Sequence, residues 1–421
     1  MAKTLALEGP SLDWARGQFA RYYATTPVAP PHRFARREFA AFPFTTETMM
    51  RRHATLRTAE EFQQFLRRDT PRHVYYSSAY YRRPAEPTMS AKEWMGADLI
   101  FDLDSDHLRG AESLDYAAQL GLVKQRLTAL VDDFLFDDIG IDPKATSLVF
   151  SGGRGYHVHV RDERFLGLTS PERRELVDYI TGNGVNPGAP IERQRRDAQA
   201  GSSISSVETE VEGGLSAGRA PKTRALVEED TPGWPGRSAR ALIKLLTRWE
   251  SQGVEVAVAE MMRYGVASAK AKQYARMLIK EGGAAKIRSR RSLDVFKHDL
   301  PDEFLELVIR EAGIEVQGET DAPVTTDIHR LIRLPNSLHG GTGFRVVPLS
   351  REEIDGFDPF RDALLAPLDD ARTAVRYVDE ARYPFPGGGV HAVPDGTDEL
   401  PTPVALFLLL RGQAELRPSP E

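Results

Sequence analysis

Aspartates occupy alternate positions at the end of an apolar stretch in the segment LIFDLDSDH, residues 99–107. Alternate side chains of a β-strand share a face, so Asp102 and Asp104 lie together, and Asp106 joins them if the strand persists. Neighbouring carboxylates repel unless they are protonated, hydrogen-bonded or paired with a cation. Two of them can bridge divalent ions that activate an attacking oxygen and stabilise a leaving phosphate oxygen. The alternative, and the commoner origin of an isolated D-x-D, is a strand that runs into an acidic, solvated loop.

A glycine-rich turn follows in SGGRGYHVHV, residues 151–160, between two strand-like runs. Its backbone N–H groups and the Ser151 hydroxyl can converge on an anion, and Arg154 and His157 would add donors for phosphate oxygens. The pattern is neither a Walker loop nor a dinucleotide fingerprint. The alternative is a glycine-rich hairpin whose arginine points into water. His157 and His159 share a strand face; a metal pair is conceivable, but a packed core histidine is the simpler interpretation of His159.

A third polar cluster lies in DAPVTTDIHRLIRLPNSLHGGTGFRV, residues 321–346. It concentrates polar residues around a Pro/Gly-rich turn, namely Asp321, Asp327, Arg330, Arg333, Asn336, Ser337 and His339. A helix with a basic face followed by a loop would explain the arginines but not such polar density beside GGTG. The clustering favours a ligand site.

Helices and strands must bring these segments together. SLDWARGQFARYYATT is helical with Ser11 as N-cap, and HVYYSSAYYR and DLIFDLD are typical of strands. A long amphipathic helix is predicted over 114–140, followed by a strand, the glycine turn, a second strand and another helix from Ser170. Strand signals return in FRVVPLS. The apolar run VALFLLL near the C-terminus is most simply a helix packed on its own domain, although a partner surface is an alternative.

The middle of the chain has a different character. Residues 183–220 are rich in Gly, Pro, Ser and charge and predict a loop or mobile connection. SARALIKLLTRWESQG and SAKAKQYARMLIKEGG then predict two helices closed by glycine, and the basic stretch AAKIRSRRSLDVFKH follows them. The predicted organisation is an α+β (mixed α/β) catalytic domain in two segments, 1–185 and 306–385, with a loop-rich and helical insert at 186–305 and a tail at 386–421.

Composition limits the function classes. The 421 residues include no cysteine, which excludes disulfides, thiolate catalysis and zinc sites that need sulfur ligands. The net charge is −6, but 55 lysines and arginines allow local basic patches for nucleic acid. We see neither a signal peptide nor an apolar run near the ~20 residues of a membrane span, so the sequence predicts a cytoplasmic protein.

Taken together, the three motifs resemble the catalytic small subunit of the archaeal and eukaryotic type of DNA primase, over nearly the whole chain. The family's metal-binding D-x-D resembles Asp102 and Asp104, and its third metal carboxylate most resembles Asp321, with Asp327 as the fallback. The resemblance implies two Mg²⁺ or Mn²⁺ ions held by three catalytic carboxylates. It implies nucleotide-binding roles for residues that match the family's motifs, namely Arg37 in ARREFAAF, then Ser151, Gly152, Arg154, His157, Arg333 and His339.

The resemblance also implies an activity and a partner. The expected reaction is template-dependent synthesis of short RNA primers, or also DNA primers, on single-stranded DNA by two-metal nucleotidyl transfer. The expected partner is the primase large subunit, an iron–sulfur protein. Relatives carry a zinc knuckle shortly after the aspartate strand; HLRGAESLDYAAQ here has no cysteine, so we expect no zinc. The alternatives are a primase-polymerase of repair or mobile elements, a D-x-D glycosyltransferase, and a non-catalytic nucleic-acid-binding subunit.

Overall fold

The computed structural model describes residues 7–45, 49–108, 111–186, 191–195, 222–296, 302–312, 324–365 and 371–417. The chain forms two compact units. The first comprises Met1–Val177 and Glu315–Glu421, and the second comprises Asp178–Ile314. The boundaries predicted from the sequence at 185, 305 and 385 remain a prediction. No helix among the described residues is both long enough and apolar enough to cross a membrane.

The N-terminal part of the first unit alternates strands with helices. Its elements are α1 (Gly9–Thr25), β1 (Phe39–Phe42), β2 (Arg51–Ala54), α2 (Ala59–Asp69), β3 (His73–Ser77), β4 (Ala79–Tyr81), α3 (Met89–Lys92), β5 (Trp94–Ala97), β6 (Leu99–Asp104), α4 (Tyr116–Ala129), β7 (Thr146–Phe150), β8 (Gly155–Val160), α5 (Glu163–Leu166) and α6 (Ser170–Thr181). A π-helical segment, Leu130–Phe136, continues α4, as expected for a long helix after the aspartate strand. The boundary between the two units falls within α6.

The second unit combines a strand pair with helices. It contains β9 (Ile191–Arg195), β10 (Lys222–Leu226), α7 (Trp234–Gln252), α8 (Val254–Arg263), α9 (Ser268–Ala275), α10 (Gly283–Arg290) and α11 (Asp302–Ala312). Strand β9 pairs antiparallel with β10, so part of the loop predicted at 183–220 is a strand; residues 187–190 and 196–221 lie outside the described residues. The helices pack around Trp249, which is fully buried.

The first unit is completed by the C-terminal part of the chain. Its elements are β11 (Leu331–Arg333), β12 (Val347–Leu349), α12 (Pro359–Asp362), β13 (Arg372–Tyr377), β14 (Ala381–Tyr383), β15 (Val390–Ala392), β16 (Thr397–Pro401), α13 (Thr402–Leu410) and β17 (Ala414–Leu416). The run VALFLLL lies in α13 and is buried, which confirms packing on its own unit. The predicted cap Ser11 was wrong, because α1 begins at Gly9 and Ser11 Oγ accepts a hydrogen bond from Leu416 N at 3.4 Å.

Two four-stranded antiparallel sheets position the polar motifs. One has the order β11-β3-β1-β2, and the other has the order β12-β7-β8-β6. The centre of the second sheet is shielded from solvent, since all six residues of β8 and the first three of β6 are buried. The sheets meet where Tyr76 stacks on His159, with Tyr76 Oη 3.3 Å from His159 Nδ1. The mixed helix and sheet architecture confirms the predicted α+β class.

Candidate active site

Asp102 and Asp104 lie on one face of β6, at its polar end. Leu103 between them is buried on the opposite face with 1% exposure, while the two carboxylates are half-buried. Burial raises the pKa of Asp104, and the neighbouring charge of Asp102 raises it further. The backbone N–H of Asp106, which donates to Asp104 Oδ1 at 3.1 Å, and the charge of Arg154 oppose that shift. Crowded, poorly hydrated carboxylates of this kind are stabilised in their charged form by a bound cation.

His157 faces the carboxylates from the neighbouring strand. It is paired with Asp102 in the β6–β8 register, and its Nε2 lies 3.5 Å from Asp102 Oδ1. Burial, with smaller contributions from the charges of Arg333 and Arg330, lowers the pKa of His157 to about 3. The imidazole is therefore neutral at physiological pH. Its Nδ1 is buried and has no hydrogen-bond partner in the described part of the chain.

The glycine turn between β7 and β8 is closed by Ser151. The Ser151 N–H donates to Gly155 O at 3.0 Å, and Ser151 Oγ accepts from the N–H groups of Gly153 and Gly155, both at 3.3 Å. Gly152 has φ +75°, a conformation that favours glycine. The N–H groups of Gly153 and Gly155 point at the Ser151 hydroxyl, so the expectation that the amides of the turn converge on an anion does not fit this geometry. Ser151 Oγ acts only as an acceptor in these two hydrogen bonds, so its hydroxyl proton is available for donation to a ligand.

Arg154 projects from the same turn toward the aspartates. Its guanidinium donates to Asp106, and its Nε lies 4.0 Å from Asp104 Oδ1. The side chain is 41% exposed, so its charge can turn toward a ligand. Asp106, to which the resemblance gave no role as a metal ligand, holds this arginine.

Arg333 connects the two sheets. It lies on β11 opposite Tyr75 of β3, and its guanidinium donates to Tyr75 Oη at 3.2 Å and to Ser151 O at 3.1 Å. Its Nε is buried without a hydrogen-bond partner among the described residues. Arg333 thus holds the glycine turn through the Ser151 carbonyl and keeps a positive charge next to the turn.

His339 packs directly on the glycine turn. A Cβ added to Gly152 would lie 2.7 Å from His339 Cβ, and one added to Gly153 would lie 3.1 Å from His339 Nε2. Thr342 Oγ1 donates to Gly152 O at 2.5 Å, and Gly341 N–H donates to His339 Nδ1 at 3.2 Å. Since Nδ1 accepts, the neutral ring carries its proton on Nε2, which faces the turn. Burial, followed by the charge of Arg333, keeps the pKa of His339 well below its usual value.

His73 and Tyr75 also belong to this cluster, although neither was predicted from the sequence as a site residue. The His73 ring packs edge-on against His339 with centroids 4.9 Å apart, and His73 Nδ1 accepts from Gly340 N–H at 3.3 Å. The only available signal was alternation in the strand HVYYS, which places both residues on one face of β3. Their proximity depends on the register of β11 with β3, which sequence reasoning did not predict.

Arg37 is not brought into this cluster. It is 1% exposed, and Asp98 pairs with it at 2.6 Å. Its other hydrogen bonds go to the carbonyl oxygens of His32, Ser77 and Ser78 and to Tyr80 Oη. All five guanidinium N–H groups are used, so the geometry favours a structural role for Arg37 rather than the nucleotide contact that the resemblance implied.

Of the two candidates for the third carboxylate, only Asp327 lies among the described residues. Asp321 lies outside the described residues. The chain is described again from 324, and the short helix Val324–Thr326 packs on β6. Asp327 is half-buried, and its Oδ1 accepts from His329 N–H at 2.9 Å. In the part of the chain that is described, no group of three His, Cys, Asp or Glu side chains is placed to hold a metal.

Comparison with known proteins identifies the class to which this site belongs. The family described as DNA primase small subunit matches residues 101–351, which contain the D-x-D, the glycine turn and the His339 loop. The DNA primase small subunit PriS of Methanocella arvoryzae is 37% identical over 409 residues, covering 96% of this chain and 98% of the relative. PriS of Methanothrix thermoacetophila is 38% identical over 416 residues, covering 97% and 100%. PriS of Haloarcula marismortui is 34% identical over 424 residues, covering 97% and 99%.

The chain therefore belongs to the DNA primase small subunit family. It is the catalytic subunit of a primase, a DNA-directed nucleotidyltransferase, and this confirms the resemblance drawn from the motifs. Membership removes the glycosyltransferase alternative. It also implies metal-dependent catalysis, DNA as a substrate and a partner subunit.

Proposed function

We propose that Asp102, Asp104 and Asp321 hold two divalent ions, Mg²⁺ or Mn²⁺, for templated nucleotidyl transfer. The observation that carries this is the pair of crowded carboxylates on β6, which face His157 and lie beside the glycine turn. Oxygen ligands of this kind suit both ions. The chemistry that two ions supply in such a site is a lower pKa of the attacking 3′-hydroxyl and neutralisation of the leaving diphosphate. The choice of Asp321 over Asp327 as the third ligand rests on the match to the family's motif.

The protein's own groups bind and orient the triphosphate. Arg154 and Arg333 supply positive charge on two sides of the glycine turn, while His339 Nε2–H and the Ser151 hydroxyl supply neutral donors. His157 is neutral, so we assign it a donor's role rather than a cation's. Gly152 lets His339 approach the turn closely. Holding the triphosphate this firmly places its α-phosphorus in line with the primer end, so that positioning carries much of the catalysis.

We propose that the product is a short RNA primer on single-stranded DNA, with DNA primers as the alternative that nucleotide choice decides. The partner is proposed to be the large subunit that carries the iron–sulfur cluster, since this chain has no cysteine to hold one. For the same reason we propose that no zinc knuckle is present. We further propose that the enzyme acts in the cytoplasm.

The test is primer synthesis on single-stranded DNA, with ribo- or deoxynucleotides and with Mg²⁺ or Mn²⁺, in the presence and absence of the large subunit. The double variant Asp102→Ala, Asp104→Ala should make no product, whereas Asp106→Ala should retain synthesis. Synthesis by the double variant would contradict the carboxylate assignment. Purification without a large subunit, together with deoxynucleotide preference, would favour the primase-polymerase alternative.

A further inference from the structure

The helical part of the second unit carries a strongly basic surface. Residues 263–291 contain nine basic residues and one acidic residue, in a chain whose net charge is −6. Two of the nine are used inside the unit, since Arg288 pairs with Glu250 at 2.5 Å and Arg291 pairs with Glu228 at 3.1 Å. The other seven are exposed and form what we call the 263–290 basic surface: Arg263, Lys270, Lys272, Arg276, Lys280, Lys286 and Arg290.

The charge of this surface is largely uncompensated. Among the described residues, only Arg276 has a carboxylate partner, Glu281, whose oxygen lies 3.4 Å from Arg276 Nε; both side chains are well exposed. An exposed ion pair of this kind contributes little to stability and breaks readily. The surface is therefore available to a polyanion, and the loss of one weak ion pair would be the only cost in internal contacts.

Regular spacing orders part of this surface. Lys272, Arg276 and Lys280 follow one another at four-residue intervals along α9 and the π-helical turn Arg276–Lys280. The opposite side of this helical segment is anchored in the core by Ala271, Ala275 and Leu278, each with 0% exposure, so the row cannot rotate away from solvent. On an α-helix, Cβ atoms four residues apart are about 5–6 Å from each other, so a row of this kind presents closely spaced cations to a chain of phosphates.

The chemistry of the surface favours nucleic acid over a protein partner. Protein interfaces are centred on buried aromatic or aliphatic anchors. Among the described residues, 263–291 include no exposed large apolar side chain, and the nearest one along the chain is Met262, next to Arg263. Four of the seven cations are lysines, which act as point charges and lack the planar fork that reads guanine edges. Such a surface recognises a phosphate backbone and carries no base preference.

We infer that the 263–290 basic surface binds the phosphate backbone of single-stranded template DNA, without sequence preference. The inference rests on the proposed function, because the template is the polyanion on which that reaction depends. It assigns the helical unit a role in retaining template, separate from the chemistry of the first unit.

The experiment uses the full chain and a fluorescent single-stranded oligodeoxynucleotide of mixed sequence, with anisotropy measured over a salt series. The triple variant Lys272→Glu, Arg276→Glu, Lys280→Glu should raise Kd by on the order of tenfold or more. Loss of three phosphate contacts should reduce the slope of log K against log salt by about 2. The matched control is Arg240→Glu, Lys244→Glu, Arg310→Glu, which changes three exposed cations on α7 and α11 of the same unit and should retain the wild-type slope.

An equal loss of binding in the control would overturn the inference, because it would reflect net charge alone. Unchanged DNA binding in the test variant would also overturn it, as would a loss confined to single-stranded RNA of the same length. If the glutamate variant is misfolded by circular dichroism, Lys272→Gln with Lys280→Gln should still reduce the slope by about 1. At saturating template, the test variant should retain the wild-type kcat and show a raised KM for template. Wild-type protein that binds DNA but makes no primer would contradict the proposed function and leave this inference standing.

Discussion

Asp102 and His157 face each other across the antiparallel strands β6 and β8, with His157 Nε2 3.5 Å from Asp102 Oδ1. Such a pair would ordinarily be an ion pair. Burial instead lowers the pKa of His157 to about 3, so the ring is neutral and cannot cancel the charge on the carboxylate. The arrangement orients Asp102 while leaving the negative charge at the end of β6 for a cation.

Removing the negative charge of Asp102 should abolish metal binding at the end of β6. Asp102→Asn preserves the shape of the side chain, and we expect primer synthesis to fall on the order of a hundredfold or more. The pKa of Asp104 should fall as well, because the charge of Asp102 contributes to its raised value. Mn²⁺ titration followed by electron paramagnetic resonance, with NMR of the Asp104 carboxyl, measures both. Asp106→Asn is the matched control and should bind Mn²⁺ normally; weak binding there would place Asp106 among the ligands.

The aspartate pair could be predicted from sequence because its cause is local. Alternation along a strand places Asp102 and Asp104 on one face whatever the strand pairs with. The same reasoning did not find Tyr75 as the partner of Arg333, because those residues are 258 positions apart and meet only through the register of β3 with β11. Register depends on the packing of whole sheets, which a single sequence segment does not encode.

Arg37 shows a second limit of sequence reasoning. A motif identifies a residue type and its position, but the role of an arginine depends on whether its donors are free. Here Asp98, neighbouring carbonyl groups and Tyr80 Oη use them all. The α+β class and the helices α7 and α9 were predictable because hydrophobic periodicity reports them directly, whereas the β9–β10 pair lies in a polar segment without that signal.

Arg37→Ala should mainly destabilise the fold. The change leaves the Asp98 carboxylate buried at 3% exposure without its cation, which costs about 3–5 kcal/mol of unfolding free energy. Chemical denaturation measures this loss, and the KM for nucleotide should stay within about twofold while the protein is folded. Arg36→Ala, an exposed neighbour, is the control and should have wild-type stability. Unchanged stability with a strongly raised KM in Arg37→Ala would restore the nucleotide contact.

Adjacent glycines in the turn should respond differently to alanine. Gly152→Ala meets both an unfavourable φ of +75° and His339 Cβ at 2.7 Å, so we expect a loss of about 1–3 kcal/mol in unfolding free energy and a raised KM for nucleotide. Gly153→Ala has an ordinary φ and meets only the end of the His339 ring at 3.1 Å. Its stability should be close to wild type, with the effect confined to nucleotide binding. Equal destabilisation of both variants would show that the His339 contact is not specific to Gly152.

Arg333 should contribute chiefly to nucleotide affinity. Arg333→Ala removes a charge-assisted donor worth about 1.5–3 kcal/mol, which corresponds to a KM for nucleotide raised about 10- to 100-fold. Tyr75→Phe keeps the charge and removes only the hydroxyl that orients the guanidinium, so its KM should rise less, by up to about fivefold. Steady-state kinetics on primed template separates the two. A lower kcat with unchanged KM in Arg333→Ala would mean that the group acts only in the transition state.

The buried histidines should make the fold sensitive to acid. Burial holds the pKa of both His73 and His159 well below the usual value of 6.5. Between the folded and unfolded pKa values the unfolded chain binds more protons, so stability is complete above about pH 6.5 and is lost as the pH falls below it. In that pH range, each such histidine changes the unfolding free energy by about 1.4 kcal/mol per pH unit. The unfolding free energy, measured by urea denaturation at a series of pH values, should change with pH less steeply by that amount in His159→Gln than in wild type. His391→Gln, which changes an exposed side chain of β15, should retain the wild-type pH dependence. An unchanged slope in His159→Gln would mean that the ring accepts a proton in the folded state, and the hydrogen bond with Tyr76 would then have to be made by the imidazolium.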